Sequence, residues 1–460
     1  MAEKFDVAVI GSGPGGYAVA IRCAQKGGKI AIIEKGDIGG VCLNCGCIPS
    51  KTLLASAHIF NLAKNAGAMG IDIENPRVNW PKVQSRKEAV VAGFRKGLAG
   101  LLAGNKIKIF QGAGIVTAKN KIAVQGDTTA EIEAAKIIIA TGSAPIEIPF
   151  MPFDGEKIIS STEALSLNEI PKSMVVIGGG VIGCEMACIY ASIGTKVTIV
   201  EALDRILPFE DEWVGQLLAR EFKKAGIDVI VGKKVTGCEK TGSQIKLTLE
   251  DGTAIEVEKA LVSVGRKASC DSQTVKALSL EMNASAIKVN DKMETSAAGV
   301  YAIGDVVGTT YLAHGAFFEA EIAAANAMGE EARIGDYSLV PRAVYTFPEV
   351  ASVGQNEAKC KEAAIDYTIG RAFFRANGRS IAHNETAGEI RVIKDKKTNQ
   401  ILGVTIIGAG AAEMIAAARA LIGSREKMGE ISFAHPTVSE VLKEAWEDAF
   451  GLSLHTPPKG

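Results

Sequence analysis

Three cysteines stand within six residues, Cys42, Cys45 and Cys47, in the run Gly39-Gly-Val-Cys-Leu-Asn-Cys-Gly-Cys-Ile-Pro-Ser-Lys51. Thiols this close admit three chemistries. They can be inert side chains in a glycine-rich loop. They can ligate a soft metal as C-x2-C-x-C, although zinc and iron–sulfur sites usually draw a further Cys or His from a second cluster, and the sequence offers none. Or Cys42 and Cys47 can form a reversible disulfide. Pro49 suits the start of a helix, where its missing N–H would be unpaired anyway. Leu53, Leu54, Ala57, Phe60 and Ala63/Lys64 continue a helical stripe that stops at Gly67. Cys47 then sits at a helix N-terminus, where the dipole favours a thiolate. The surrounding sequence favours the disulfide over the other two readings.

A second reactive group is His435, in His435-Pro-Thr-Val-Ser-Glu440. Pro436 is expected to open the last helix, with Val438, Val441, Leu442, Ala445 and Ala449 on its buried face. His435 lies at the cap, and Glu440 is close enough to orient an imidazole. On spacing alone, a helix cap and a general base remain alternatives.

The elements that position these groups are nucleotide-binding ones. A buried strand over 4–10 runs into Gly11-Ser-Gly13-Pro14-Gly15-Gly16, then a helix over 17–25 and a strand over 29–33 that ends at Glu34, 23 positions beyond Gly11. Gly11 permits a tight turn, Gly13 lets a pyrophosphate approach backbone, Gly16 allows helix to pack on strand, and Glu34 can accept ribose hydroxyls. The pattern returns as a strand over 174–177, Gly178-Gly-Gly180-Val-Ile-Gly183, a helix to about Ser192, and a strand over 196–200 ending at Glu201, again 23 positions on. Two fingerprints imply two dinucleotide sites, or one such site plus a relic. Glu201, with no Arg in its place, repels a 2′-phosphate and favours NAD over NADP.

Between the fingerprints, a strand over 136–140 ends in Thr141-Gly142-Ser143-Ala-Pro145, expected to be a turn leaving the first domain, with Pro149, Pro152 and Gly155 in the linker. The stretch 260–265 closes the second domain, and 299–305 is a further strand that delivers Asp305 to a ligand-binding edge. From Val340 the pattern changes to antiparallel strands over 345–353, 389–393 and 401–407, with helices over 411–421 and 438–450. The expected architecture is α/β, with two Rossmann-like dinucleotide-binding domains and a C-terminal α+β dimerisation domain carrying an antiparallel sheet. Its divisions are 1–147, 148–268, 269–337 (completing the first domain) and 338–460.

The totals bound the rest. A chain of 460 residues with 47% hydrophobic, 22% charged and 50 glycines has room for about three domains and many tight turns. Net charge −1 gives no electrostatic case for nucleic acid or a membrane surface. Nine scattered cysteines argue for a reducing compartment. The N-terminus lacks a signal-peptide pattern and no apolar run reaches membrane-spanning length, so no membrane insertion and a cytoplasmic location are expected.

With these motifs in order, together with Leu312-Ala313-His314 and Tyr345-Thr-x-Pro-Glu-Val-Ala-Ser-Val-Gly, the chain resembles the flavoprotein disulfide reductases over essentially its whole length. Within them it resembles the branch that oxidises dihydrolipoamide. The resemblance implies FAD on Gly11, Gly13, Pro14, Gly16, Glu34 and Lys35, completed by Gly114, Thr141, Gly142, Ser143, Asp305, Tyr311, Leu312, Ala313 and His314. It implies NAD on Gly178, Gly180, Gly183, Glu185, Glu201, Val235 and Gly265. Lys51 would lie beside the flavin, paired with Glu185. Cys42 would be the interchange thiol, Cys47 the flavin-facing thiolate, and His435, held by Glu440, the base given by the second subunit of a homodimer. No metal is implied. The implied partners are lipoyl groups of a 2-oxoacid dehydrogenase or glycine cleavage complex.

Several positions depart from the family pattern: Val41 for a usual Thr, the extra thiol Cys45, Gly315 for a usual Lys, Phe433 for a first His, and Phe347 for a His or acid. Cys45 could scramble the redox disulfide. An alternative activity is NAD(P)H-dependent reduction of another small disulfide, of glutathione or coenzyme A type, which Glu201 opposes where NADPH is the donor. A metal-cluster module and a docking subunit of a larger complex are further alternatives.

Overall fold

A computed structural model describes residues 2–126, 129–423 and 431–455. Apolar runs at its centre form a parallel sheet. Strand β1 (Glu3–Ile10) leads through helix α1 (Pro14–Gln25) to β2 (Ile30–Glu34). Two short-coupled helices, α2 (Gly40–Cys45) and α3 (Cys47–Asn65), precede the long α4 (Trp80–Gly104) and strand β3 (Lys108–Gln111). An antiparallel meander follows, β4 (Ala113–Ala118), β5 (Lys121–Gln125) and β6 (Ala130–Ile139), and β6 then lies parallel to β1. The strand expected over 136–140 is thus the end of a longer one, extended backward by pairing with β5.

The exit expected as a turn is a short strand, β7 (Ser143–Pro145). The second domain holds β8 (Ile158–Ile159), α5 (Ser161–Ala164), β9 (Ser173–Ile177), α6 (Val181–Ser192), β10 (Lys196–Val200), α7 (Glu212–Lys224) and β11 (Ile227–Ile230). After a second meander, β12 (Val235–Thr241), β13 (Gln244–Leu249) and β14 (Ala254–Val257), strand β15 (Lys259–Val262) completes a parallel sheet in the order β11-β10-β9-β15-β8. The chain returns through β16 (Arg266–Ala268), which pairs antiparallel with β7, so the outgoing and incoming crossings brace each other.

Helix α8 (Ser272–Leu278), a small hairpin of β17 (Met282–Asn283) and β18 (Ala286–Ile287), and β19 (Val300–Ala302) bring the chain back to the first sheet, where β19 lies parallel to β6. Helix α9 (Ala313–Ala327) packs on α1. The C-terminal part has a five-stranded antiparallel sheet in the order β20-β21-β24-β23-β22. Its strands are β20 (Arg342–Val344), β21 (Val350–Gly354), β22 (Tyr367–Phe373), β23 (Glu389–Asp395) and β24 (Ile401–Ile407). Around them lie α10 (Glu357–Glu362), α11 (Gly378–Ala382), α12 (Ala411–Leu421) and α13 (Glu440–Ala449). The helix expected to open at Pro436 opens at Glu440 instead: Val438 and Ser439 form a tighter turn, their carbonyls accepting the Val441 and Leu442 amides, both at 3.0 Å, three residues on.

The three parts share a core. Leu53, Leu54 and Trp80 pack with Cys184, Ala187 and Tyr190 of α6 and with Val344, Val350 and Ile407 of the C-terminal sheet. Polar clasps hold the same seam. Lys64 donates to the Ser192 carbonyl at 3.1 Å, and Lys87, 2% exposed, donates to the Leu165 carbonyl at 2.8 Å. Both ammonium groups therefore sit on the carbonyl ends of second-domain helices, where the dipole favours cations.

Candidate active site

The cysteine segment rests on the first glycine loop. Gly39 and Gly40 turn the chain with φ +97° and +61°, and a Cβ on Gly40 would lie 2.7 Å from the Gly13 Cα. The Gly39 amide donates to Ser12 Oγ at 3.1 Å. Helix α2 carries Cys42 and Cys45 and breaks at Gly46, where a Cβ would press the Val41 carbonyl at 2.9 Å. Helix α3 then opens at Cys47, with Pro49 inside its first turn rather than leading it.

Cys42 and Cys47 are brought close enough for each to shift the other's titration. The proton of Cys42 and the nearby Lys51 ammonium lower Cys47 to about 7 against the cost of burial. Cys42 moves the other way, because it keeps the shared proton and is buried. The pair is polarised, with its anion at the N-terminus of α3. Cys45 turns elsewhere: burial raises its thiol, against the opposing pull of Thr162 and Arg266 nearby. It is a neighbour in sequence that faces the domain junction.

Lys51, one turn into α3, meets Glu185 of α6 at 2.7 Å. Glu185 also accepts the Tyr345 amide at 3.1 Å, and the Lys51 ammonium lies 4.5 Å from the centre of the Tyr345 ring. Glu185 is 4% exposed, so removing the lysine would leave a buried carboxylate unpaired, a change that costs about 3–5 kcal/mol. Tyr345 was absent from the expected site; an aromatic in an apolar strand pattern carries no spacing signal.

Most of the residues expected to hold FAD follow the carboxyl ends of β1, β2, β6 and β19. A Cβ on Gly11 would strike the Ala140 carbonyl at 2.3 Å, and one on Gly16 the Gly11 carbonyl at 2.0 Å, so α1 packs directly on its loop. Gly13 has nothing within 4 Å on that side, and Pro14 is the first residue of α1. This open backbone at a helix N-terminus fits a pyrophosphate. The Glu34 carboxylate takes the Ser12 amide at 2.8 Å, the Ser12 hydroxyl at 2.7 Å and the Gly36 amide at 2.9 Å, with Lys35 exposed beside it. Gly114 on β4 faces Ile33 and Ile10, where a Cβ would be 3.0 Å from Ile33. Thr141 Oγ1 donates to the Ser269 carbonyl at 2.5 Å, and Gly142 turns with φ +74°.

Ser143 donates to Asp305 at 2.5 Å and receives Arg266 Nε at 2.7 Å. Arg266, unforeseen, thus ties the two crossing strands to the Asp305 carboxylate, 3.9 Å away. Tyr311, with φ +52°, and Leu312 lead into α9, which starts at Ala313, and His314 Nε2 meets the Pro341 carbonyl at 2.5 Å. Glu319, also unforeseen, accepts the Gly304 amide at 2.6 Å and the Tyr337 hydroxyl at 2.9 Å, and burial raises it to about 7. Gly315 leaves room for Thr310, whose Oγ1 would lie 2.3 Å from a Cβ there.

The second cradle repeats the first. A Cβ on Gly178 would meet the Ser263 carbonyl at 2.5 Å, one on Gly183 the Gly178 carbonyl at 2.0 Å, and Gly180 is open. Glu201 accepts the Gly179 amide at 2.6 Å and the Leu203 amide at 2.8 Å. The Glu201 carbonyl receives the Lys233 amide at 3.1 Å, just before Val235 opens β12, and Gly265 turns with φ +132° after β15.

His435 lies in an irregular segment before α13. Its Nδ1 is 2.9 Å from Glu440 Oε1, while Glu440 Oε2 holds the Thr437 amide. The His435 side chain is 80% exposed, and among the described residues Nε2 has no partner. That amide, then the histidine, keeps Glu440 below the usual carboxylate range. Phe433 packs against the C-terminal core, and Phe347 stacks on His58 at 5.3 Å.

Known proteins share this layout. The sequence pattern described as pyridine nucleotide-disulphide oxidoreductase matches residues 5–320, and that family's dimerisation domain matches 340–446. A dihydrolipoyl dehydrogenase of Geobacillus stearothermophilus is 40% identical over 462 residues, covering 99% of this chain and 98% of its own. One of Bacillus subtilis strain 168 is 38% identical over 456 residues, covering 98% and 99%. The HOCl-induced flavoprotein disulfide reductase RclA of Escherichia coli, as its Cu(II) complex, superposes with TM-score 0.87 at 27% identity over 97% of this chain and 99% of its own. Among the described residues no helix is long and apolar enough to cross a membrane. With twin nucleotide cradles and a polarised thiol pair beside the first, the chain belongs to the pyridine nucleotide-disulphide oxidoreductase family.

Proposed function

We propose that this enzyme oxidises dihydrolipoamide to lipoamide and reduces NAD⁺ to NADH, with FAD on the first cradle and NAD⁺ on the second. The carrying observation is the Cys42/Cys47 pair, polarised at the start of α3 beside Lys51. In the oxidised enzyme Cys42 and Cys47 form the disulfide. His435 Nε2 takes the proton from one dihydrolipoamide thiol, and the thiolate attacks Cys42 Sγ. Cys47 leaves as the thiolate that α3 and Lys51 favour. The second substrate thiol closes onto the first sulfur, breaking its bond to Cys42 Sγ and passing its proton to that sulfur, so lipoamide departs and Cys42 is left as the thiol. FAD, when bound, would supply the two-electron relay between the thiolate side and NAD⁺. Lys51 and Glu185 orient that junction, and Glu440 holds the imidazole.

The assignments support a homodimer in which His435 serves the partner's cysteines, since its imidazole is exposed and lies in the matched dimerisation domain. The divisions 1–147, 148–268, 269–337 and 338–460 are proposed as first domain, second domain, completion of the first, and interface. Lipoyl groups of a 2-oxoacid dehydrogenase or glycine cleavage complex are the proposed partners, and the cytoplasm the proposed location.

Turnover of dihydrolipoamide with NAD⁺, set against reduced glutathione and reduced coenzyme A, tests the reading. Dihydrolipoamide is expected to be the good substrate; faster turnover of either monothiol would overturn the assignment. At the second site, Glu201 opposes a 2′-phosphate, so kcat/KM for NADP⁺ is expected to be at least about 100-fold below that for NAD⁺. Equal efficiencies would remove Glu201 from its proposed role.

A further inference from the structure

The base segment 431–439 has no regular secondary structure, so the hydrogen-bonding pattern of a helix or sheet does not hold His435. Nor does the Thr437 side chain anchor it, since its buried hydroxyl has no hydrogen-bond partner among the described residues. Ile431, Phe433 and Val438 pack on the core, and a polar grip comes from 60 residues upstream: Asn377 Nδ2 donates to the Thr437 carbonyl at 3.0 Å. The other end of the same residue, the Thr437 amide, donates to Glu440, which holds His435.

Resting on the reading of His435 as the base, we propose that Asn377 is a positioning residue for it, pinning Thr437 so that Glu440 and the imidazole keep one arrangement. The asparagine is itself fixed. It is the N-cap of α11, and its Oδ1 accepts both the Ser380 amide at 2.9 Å and the Ser380 hydroxyl at 3.0 Å. Ser380 is wholly buried, so the amide group has one orientation, with its NH₂ toward Thr437. The link runs Ser380, Asn377, Thr437, Glu440, His435, each joined to the next by a hydrogen bond. The depressed Glu440 carboxyl agrees, since the Thr437 amide is its largest cause.

Asn377→Asp separates the two jobs of this side chain. Aspartate caps a helix as well as asparagine does, but it has no N–H for the Thr437 carbonyl. The variant is expected to unfold within about 2 °C of the parent. Its kcat for dihydrolipoamide should fall about 10- to 100-fold, because a small misplacement of the base is enough. KM for NAD⁺ should be unchanged, as should NADH-driven reduction of ferricyanide, which does not need the base. Ser380→Ala, which loosens the cap and leaves the Thr437 bond, should keep kcat within about 3-fold. Parental kcat in Asn377→Asp, with His435→Ala strongly impaired, would overturn the positioning role and leave the base intact. Parental kcat in His435→Ala would show that the base reading itself had failed. Equal losses in dihydrolipoamide oxidation, ferricyanide reduction and thermal midpoint would make Asn377 merely structural and also overturn the proposal.

Discussion

Cys42→Ser is expected to slow dihydrolipoamide oxidation by at least about 10⁴-fold while the purified protein stays yellow. The attacked sulfur is gone, but none of the contacts of the first cradle passes through it: Gly11, Gly13 and Gly16 shape the loop, and Glu34 is held by Ser12 and Gly36. Cys47→Ser should be equally inactive, because without its sulfur there is no disulfide for the substrate thiolate to break and no thiolate to leave. Cys45→Ser should retain most activity, since its thiol faces Thr162 and Arg266 rather than the pair. The three variants form one measurement, with dithiol turnover set against flavin content. An inactive Cys45→Ser beside an active Cys47→Ser would show that the pairing had been drawn through the wrong sulfur.

His435→Ala should lose about 10²- to 10⁴-fold in the same reaction with its fold intact. The sharper result comes from mixing. A chain with Cys42→Ser and a chain with His435→Ala are each inactive as homodimers. If the base crosses to the partner, a hybrid dimer has one site with both lesions and one with neither. Random pairing makes about half the dimers hybrid, so co-expression should restore roughly a quarter of parental activity. If His435 serves its own cysteines, every site in the hybrid carries one lesion and no activity returns. Differential tags that confirm hybrids without recovery would place the base in its own chain or remove it from catalysis.

Much of this arrangement was legible because dinucleotide loops punctuate the chain with glycines at fixed offsets. The strand, loop, helix and acid around Gly11 and Gly178 all fall where backbone geometry demands them. Where local signals are weak, long-range pairing decides the structure. Strand β22 was missed because Gly370 and Arg371 interrupt its pattern; the glycine is there because a Cβ would lie 2.0 Å from the Ala445 carbonyl of α13. The meander β12 to β14 escaped notice because β12 is mostly exposed and carries little apolar alternation. Pro436 misled because proline so often opens a helix, whereas the carbonyls of Val438 and Ser439 bond amides three residues on, in a turn tighter than an α-helix. Arg266, Glu319 and Asn377 act across long separations, and no spacing within the chain announces such partners.

The two nucleotide acids have a consequence for how this enzyme can change. Glu34 and Glu201 are the acids proposed to accept ribose hydroxyls, yet each also clasps the amide of the second residue of its own glycine loop, Ser12 and Gly179. Ribose recognition and phosphate recognition are therefore mechanically joined. An exchange of Glu201 for a basic residue, the step that would welcome a 2′-phosphate, also releases the strut beneath the pyrophosphate. Whatever is gained at the sugar is lost at the loop unless a new acceptor arises beside Gly179 in the same event. A lineage carrying this cradle meets a fitness valley between the two nicotinamide cofactors, and a designer crossing it must rebuild the loop before touching the acid.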